Sequence, residues 1–182
     1  RWVVIGPNGA GKTTLMRVMA GLRAAQAGAI AYGGTPLTAL GLRERARRRA
    51  FLPQDSVDHF PATVLETALV GRHPHLSRWQ WESAADIDRA QAALSTFGLA
   101  GLDGRDARTL SGGERRRLAL AALVAQDSGL LLLDEPSSHL DLGAQVAALD
   151  TVAALARNRG KAIVMVLHDL HLALRYADHA IA

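Results

Sequence analysis

The stretch Gly6-Pro7-Asn8-Gly9-Ala10-Gly11-Lys12-Thr13 decides the fold. It satisfies G-x-x-x-x-G-K-[ST], follows a short apolar run at residues 2–5 and opens a segment with helical spacing. Leu15, Met16, Val18, Met19 and Leu22 mark that helix, and Gly21 provides a stop. Strand, glycine-rich turn and helix are the context a phosphate loop requires. The glycines let the backbone fold tightly enough for successive N–H groups to point at phosphate oxygens, and the helix N-terminus adds its positive dipole end. Lys12 is placed to reach β- and γ-phosphates, the Thr13 hydroxyl to hold Mg²⁺ and Thr14 to contact an α-phosphate.

Working outward, apolar runs at residues 130–133 and 162–167 have the length of buried strands, with a shorter one at 50–52 and a weak one at 29–32. Helical patterns lie between them, at about 114–125, 145–157 and 170–176. This alternation predicts an α/β fold with a mainly parallel sheet covered on both faces by helices. Residues 63–97 are mostly helical, with a break expected at His73 because Pro74 disfavours helix there. Residues 98–108 read as a loop. A single domain, 1–182, is therefore expected, with residues 1–62 and 109–182 forming the sheet core and 63–108 a helical subdomain.

The 182 residues suffice for one core, and 49% hydrophobic content describes a globular chain. No apolar run approaches the roughly 20 residues that span a bilayer. The absence of Cys excludes disulfides and thiolate chemistry. A net charge of +4 raises the question of nucleic acid, but much of the excess sits in the run Arg43-Glu44-Arg45-Ala46-Arg47-Arg48-Arg49. That run has no interleaved aromatics on which bases would stack, and reads as a solvated helix face. The start at Arg1-Trp2-Val3, without Met, suggests that upstream sequence is missing. Trp2 is expected to be packed.

Asp134 and Glu135 follow the apolar run 130–133 directly. The carboxyl end of a strand is where open α/β sheets bind ligands. Asp134 can hold Mg²⁺, directly or through water. Glu135 is placed to orient or deprotonate the water that attacks a γ-phosphate. Further upstream, Leu110-Ser111-Gly112-Gly113-Glu114 forms a second small-residue turn that opens a helix, with the physics of a second phosphate edge. Two such edges in one chain suggest that one serves a neighbour's nucleotide.

Here the sequence resembles the ATP-binding cassette (ABC) ATPases, a P-loop NTPase family. Residues 6–13 look like their Walker A, Gln54 like the Q-loop, and residues 110–114 match the LSGGE signature letter for letter. Residues 130–135 match Walker B, Ser138-His139-Leu140-Asp141 resembles the D-loop, and His168 the switch histidine. The resemblance implies a RecA-like core and a head-to-tail homodimer of cassettes enclosing two ATPs with Mg²⁺ held by Thr13, Gln54 and Asp134. It implies catalytic roles for Lys12, Gln54, Glu135 and His168, with Ser111, Gly112, Gly113 and Asp141 acting across the dimer. It also implies an N-terminal β-subdomain with an adenine-stacking aromatic, which is expected to be missing from this chain.

Val64-Leu65-Glu66-Thr67-Ala68-Leu69-Val70-Gly71-Arg72-His73-Pro74-His75 resembles the helical lobe of importers for iron–siderophores, haem and vitamin B12, and Trp79 and Trp81 resemble the vitamin B12 branch. His59, His73 and His75 lack the fixed spacing of a metal site. Arg72 and its histidine neighbours are expected near a groove that receives a helix of a permease. The implied protein is the motor of a metal-chelate importer, peripheral on the cytoplasmic face of the bacterial inner membrane. Its implied partners are a polytopic permease and a periplasmic binding protein, with no nucleic acid. Another ABC transporter class and a soluble ABC ATPase acting on nucleic acid or ribosomes are the alternatives.

Overall fold

The computed structural model of the chain describes residues 1–54 and 61–182. Five parallel strands form the main sheet: β1 (Trp2–Val4), β4 (Arg49–Leu52), β5 (Leu130–Asp134), β6 (Ala162–Val166) and β7 (His179–Ile181), in the order β4-β5-β6-β1-β7. A two-stranded antiparallel ribbon, β2 (Ala31–Tyr32) and β3 (Thr35–Pro36), turns at Gly33 and Gly34, both with positive φ. The helices are α1 (Lys12–Met19), α2 (Leu42–Arg48), α3 (Val64–Leu69), α4 (Ala84–Thr96), α5 (Gly112–Ala125), α6 (Leu142–Arg159) and α7 (Leu170–Tyr176).

Alternation along the strands divides the core between two faces. Leu131, Leu133, Ile163 and Met165 join α3, α4, α5 and α6 in one apolar cluster. Leu132, Val164, Val166 and Val4 join Met16 and Ala20 of the α1 region in another. The four consecutive leucines of β5 are therefore needed, because both faces of that central strand are covered. The apolar face of α1 is narrower than the sequence pattern suggests: Met16 is buried, whereas Leu15 is 37% exposed, and Leu22, past the end of the helix, is 59% exposed.

The helical middle begins with α3, capped by Thr63, whose hydroxyl accepts from the Glu66 N–H while the Glu66 carboxylate accepts from the Thr63 N–H. The break predicted near Pro74 is a tightening into a 3₁₀ segment, Val70–His75, that carries Pro74 within it. Its Gly71 lies against α5, where a Cβ would fall 2.1 Å from the Ala122 carbonyl oxygen. A side chain there would hold the two helices apart.

Three expectations are corrected. Trp2 is not packed inside: it is 44% exposed and stacks on His179 of the neighbouring strand, ring centroids 4.5 Å apart. The arginine run is not simply solvated. Arg45, Arg47 and Arg49 donate to the carbonyls of Leu40, Pro74 and Ala20, and Arg48 donates to Tyr32, Thr35 and Glu44, so α2 ties the ribbon and the 3₁₀ segment to the core. Finally, Arg72 does not face a groove. It is 2% exposed, paired with Asp86 of α4 at 2.9 Å and bonded to the Ala125 carbonyl at the end of α5. His73 faces Glu82 at 3.7 Å and His75 meets the Gln126 carbonyl, while His59 lies outside the described residues.

Candidate functional site

The parallel register sets the site. Val4 of β1 is beside Val166 of β6, which is beside Asp134 of β5, and Leu52 of β4 is beside Leu133. The segments leaving these strands, Ile5-Gly6, Leu167-His168, Glu135-Pro136 and Pro53-Gln54, therefore emerge along one edge of the sheet. This is the carboxyl edge, the ligand-binding edge of open α/β sheets.

At that edge the phosphate loop is built on three glycines with positive φ: Gly6, Gly9 and Gly11. Gly11 is the N-cap of α1 in a left-handed conformation with no side-chain capping bond, so the first N–H groups of the helix are not taken by a cap. Residues Pro7, Asn8, Gly9, Ala10 and Gly11 are exposed, whereas Lys12 is 9% exposed and folds its amine back onto the carbonyls of Gly6 at 2.8 Å and Pro7 at 2.9 Å. Thr13 is half-buried and Thr14 exposed.

Asp134 is fully buried, and among the described residues neither carboxylate oxygen has a hydrogen-bond partner. Burial raises its pKa above the ordinary value, and Glu135 raises it further. The Thr13 hydroxyl beside it, Arg17 and Arg116 pull the other way. An orphaned buried carboxylate beside a hydroxyl at a phosphate loop is a donor set suited to a hard divalent cation. Among the described residues no group of three or more His, Cys, Asp or Glu is placed to hold a metal by itself. Such an ion would thus draw its other oxygens from elsewhere, which is the usual situation of Mg²⁺ on nucleotide phosphates.

Glu135 adopts a left-handed backbone, φ 52°, unusual for a residue with a side chain. Pro136 after it disfavours the right-handed helical region, the one local signal of this conformation. Its carboxylate is hydrogen-bonded to His168 Nε2. Gln54 is exposed, and its carbonyl accepts from Arg116 Nη1 at 3.1 Å, as does that of Pro53 at 3.0 Å. Arg116 was not singled out in the sequence, where it is the middle of three arginines on an ordinary helix.

The turn at Ser111 is closed on itself. Ser111 Oγ accepts from the Glu114 N–H, and the Glu114 carboxylate accepts from the Ser111 N–H at 2.8 Å, a capping box at the start of α5. Gly113 faces Leu140, and a Cβ on Gly112 would stand 3.9 Å from that of His139, so this turn packs on the loop that precedes α6. Among the described residues no hydrogen bond joins it to the phosphate loop of the same chain. Asp141 is exposed and caps α6 through the Ala144 N–H. The structure thus brings together the phosphate loop, Gln54, Asp134, Glu135 and His168, and leaves Ser111, Gly112, Gly113 and Asp141 outside that group.

Residues 1–138 match the family described as ABC transporter. The chain belongs to that family. Its fold is that of the P-loop NTPase cassette, and the chain is 28% identical to a metal-chelate type ABC transporter in an inward-facing conformation, with a TM-score of 0.80 over 98% of this chain and 66% of that one. Among curated relatives it is 43% identical to the cobalamin import ATP-binding protein BtuD of Halobacterium salinarum, over 98% of this chain and 44% of that protein. It is 46% identical to the hemin import ATP-binding protein HmuV of Myxococcus xanthus, over 96% of this chain and 67% of that protein. The chain therefore spans less than half of the first relative and about two thirds of the second.

Proposed function

We propose that this chain is the ATP-binding and ATP-hydrolysing part of an ABC importer that carries a metal chelate such as an iron–siderophore, haem or cobalamin. The observation that carries the catalytic half of this reading is the pairing of Glu135 with His168 at the same sheet edge as the phosphate loop. The importer half is supported by the relatives, which are named for import of cobalamin and of hemin.

In this reading residues 6–14 hold the nucleotide phosphates, with Lys12 leaving the carbonyls of Gly6 and Pro7 for the β- and γ-phosphate oxygens. Thr13, Asp134 and Gln54 would hold a Mg²⁺ that neutralises charge on those phosphates. Glu135 accepts a proton from, or orients, a water whose oxygen attacks the γ-phosphorus. The bond from that phosphorus to the bridging oxygen breaks, and ADP and phosphate leave. His168, fixed on Glu135, holds the carboxylate toward the water and contacts the γ-phosphate.

Ser111, Gly112, Gly113 and Asp141 lie outside this group and would complete the nucleotide site of a second copy in a head-to-tail pair. The expected division follows: one domain, 1–182, with 1–62 and 109–182 as a RecA-like core and 63–108 as the helical subdomain. An apolar groove of about 290 Å³ between the end of β4 and α5, lined by Pro53, Val70, Gly71 and Leu118 among others, lies beside Gln54. It is the candidate seat for a permease helix, in place of the surface expected at Arg72. Among the described residues no helix is long and apolar enough to cross a membrane. Attachment at the cytoplasmic face would run through the permease, with a periplasmic binding protein delivering cargo.

Transport in vesicles containing the full-length protein and its co-purifying permease tests this. ATP-dependent uptake of a metal chelate is expected. Co-purification with RNA or ribosomes and no membrane protein would count against it.

A further inference from the structure

Among the described residues the guanidinium of Arg116 donates to five backbone carbonyls. Nε donates to Pro136 at 3.1 Å, Nη1 to Pro53 at 3.0 Å and Gln54 at 3.1 Å, and Nη2 to Asp134 at 2.8 Å and Glu135 at 2.5 Å. The residue is 4% exposed and sits in the second turn of α5, just after the capped turn at Ser111. One guanidinium thus joins three elements: the end of β4 that carries Gln54, the end of β5 that carries Asp134 and Glu135, and α5.

Three of the five acceptors are successive residues, 134, 135 and 136. Their carbonyls converge on one cation because the chain turns through a left-handed residue at Glu135, φ 52°. That conformation carries a cost for a residue with a side chain and persists only where surroundings over-determine it. Here the surroundings are the guanidinium and the Ser138 N–H on the carbonyl side and His168 on the carboxylate side. Without the guanidinium, the Glu135 carbonyl keeps, among the described residues, only the Ser138 N–H at 3.1 Å, and relaxation toward an extended backbone would swing the carboxylate away from His168.

We propose that Arg116 is a positioning residue for hydrolysis: it holds Glu135 in the left-handed turn that presents its carboxylate to His168, and ties that turn to Gln54. The proposal rests on the functional reading above. Arg116 touches neither nucleotide nor water in this role. Its removal should slow the chemical step and spare nucleotide binding, which depends on residues 6–14 after β1, whereas the five carbonyls that accept from Arg116 lie at the ends of β4 and β5.

The test uses the full-length protein with its membrane partner, carrying Arg116→Lys or Arg116→Gln. kcat and KM for ATP hydrolysis, binding of a fluorescent ATP analogue and thermal unfolding are measured. Misplacing a catalytic group by about 1 Å costs on the order of 100-fold, so a kcat loss of about 10- to 100-fold is expected with KM within about threefold of the parent. Lys, with three donors for five acceptors, should retain more activity than Gln. Parental kcat in either folded variant overturns the proposal, and so does a loss residing in KM. Should Arg116→Gln not fold, Arg116→Lys decides by the same criteria. A parent that hydrolyses no ATP overturns the functional reading and this proposal with it. Active variants of an active parent overturn the proposal alone.

Discussion

Glu135 and His168 are hydrogen-bonded across 33 residues of sequence because β5 and β6 are neighbours in parallel register, with Asp134 beside Val166. The pairing follows from strand order, since each residue sits just past the end of its strand. The bond fixes the direction of the Glu135 carboxylate relative to His168.

The Lys12 amine donates to the loop backbone at Gly6 and Pro7. Its two bonds to Gly6 and Pro7 show the reach of the amine, and exchanging them for phosphate oxygens turns neutral acceptors into charged ones. Lys12→Ala should weaken ATP binding by about 10- to 100-fold, the equivalent of losing one charged hydrogen bond. Titration with a fluorescent ATP analogue measures it. Unchanged affinity would speak against the phosphate role.

Gly71 tests the packing beneath the proposed groove. With the Ala122 carbonyl 2.1 Å from a would-be Cβ, Gly71→Ala must push the 3₁₀ segment off α5. Overpacking of this kind costs about 1–3 kcal/mol. Gly104→Ala, where a Cβ meets nothing within 4 Å, serves as the control. Thermal unfolding should fall by several degrees for the first and stay near the parent for the second.

Asp86 predicts a pH dependence of stability. The Ser83 hydroxyl first, then Arg72 and the Ser83 N–H, hold its carboxyl down to about 2. An unfolded Asp titrates near 3.9, so the folded state favours the ionised form. The stabilisation is then fully present above about pH 4 and lost as pH falls toward 2. Asp86→Asn should be less stable than the parent at neutral pH and should flatten the curve in that window. Denaturant midpoints from pH 2 to 7 check this. Parallel curves for parent and variant would remove Asp86 as the cause.

The shared sheet edge of the proposed site was legible in the sequence for a physical reason. Phosphate binding needs Gly6, Gly9 and Gly11 at fixed spacing after a strand, and the acids must follow a strand buried on both faces, which four leucines announce. What escaped notice depends on contacts across the fold. Nothing in Gly112-Gly113-Glu114-Arg115-Arg116-Arg117 distinguishes Arg116, because its acceptors lie on β4 and β5, up to 63 residues away. The sequence places Arg72 in a segment that resembles a docking lobe, and only the packing of α4 brings Asp86 to it. β7 went unseen because its three residues, His179, Ala180 and Ile181, are all exposed and carry no buried pattern. The left-handed Glu135 had one local hint, Pro136, which excludes a conformation without choosing among the rest.

The central claim is that Glu135 drives hydrolysis at a phosphate loop built by residues 6–13. Phosphate release from ATP by the full-length protein with its membrane partner, compared with the same complex carrying Glu135→Gln, tests it most directly. Loss of a general base typically costs about 100- to 10,000-fold. The expected result is hydrolysis in the parent and a loss of that order in Glu135→Gln, with ATP still bound and the paired cassettes held closed. Hydrolysis at the parental rate by Glu135→Gln would contradict it.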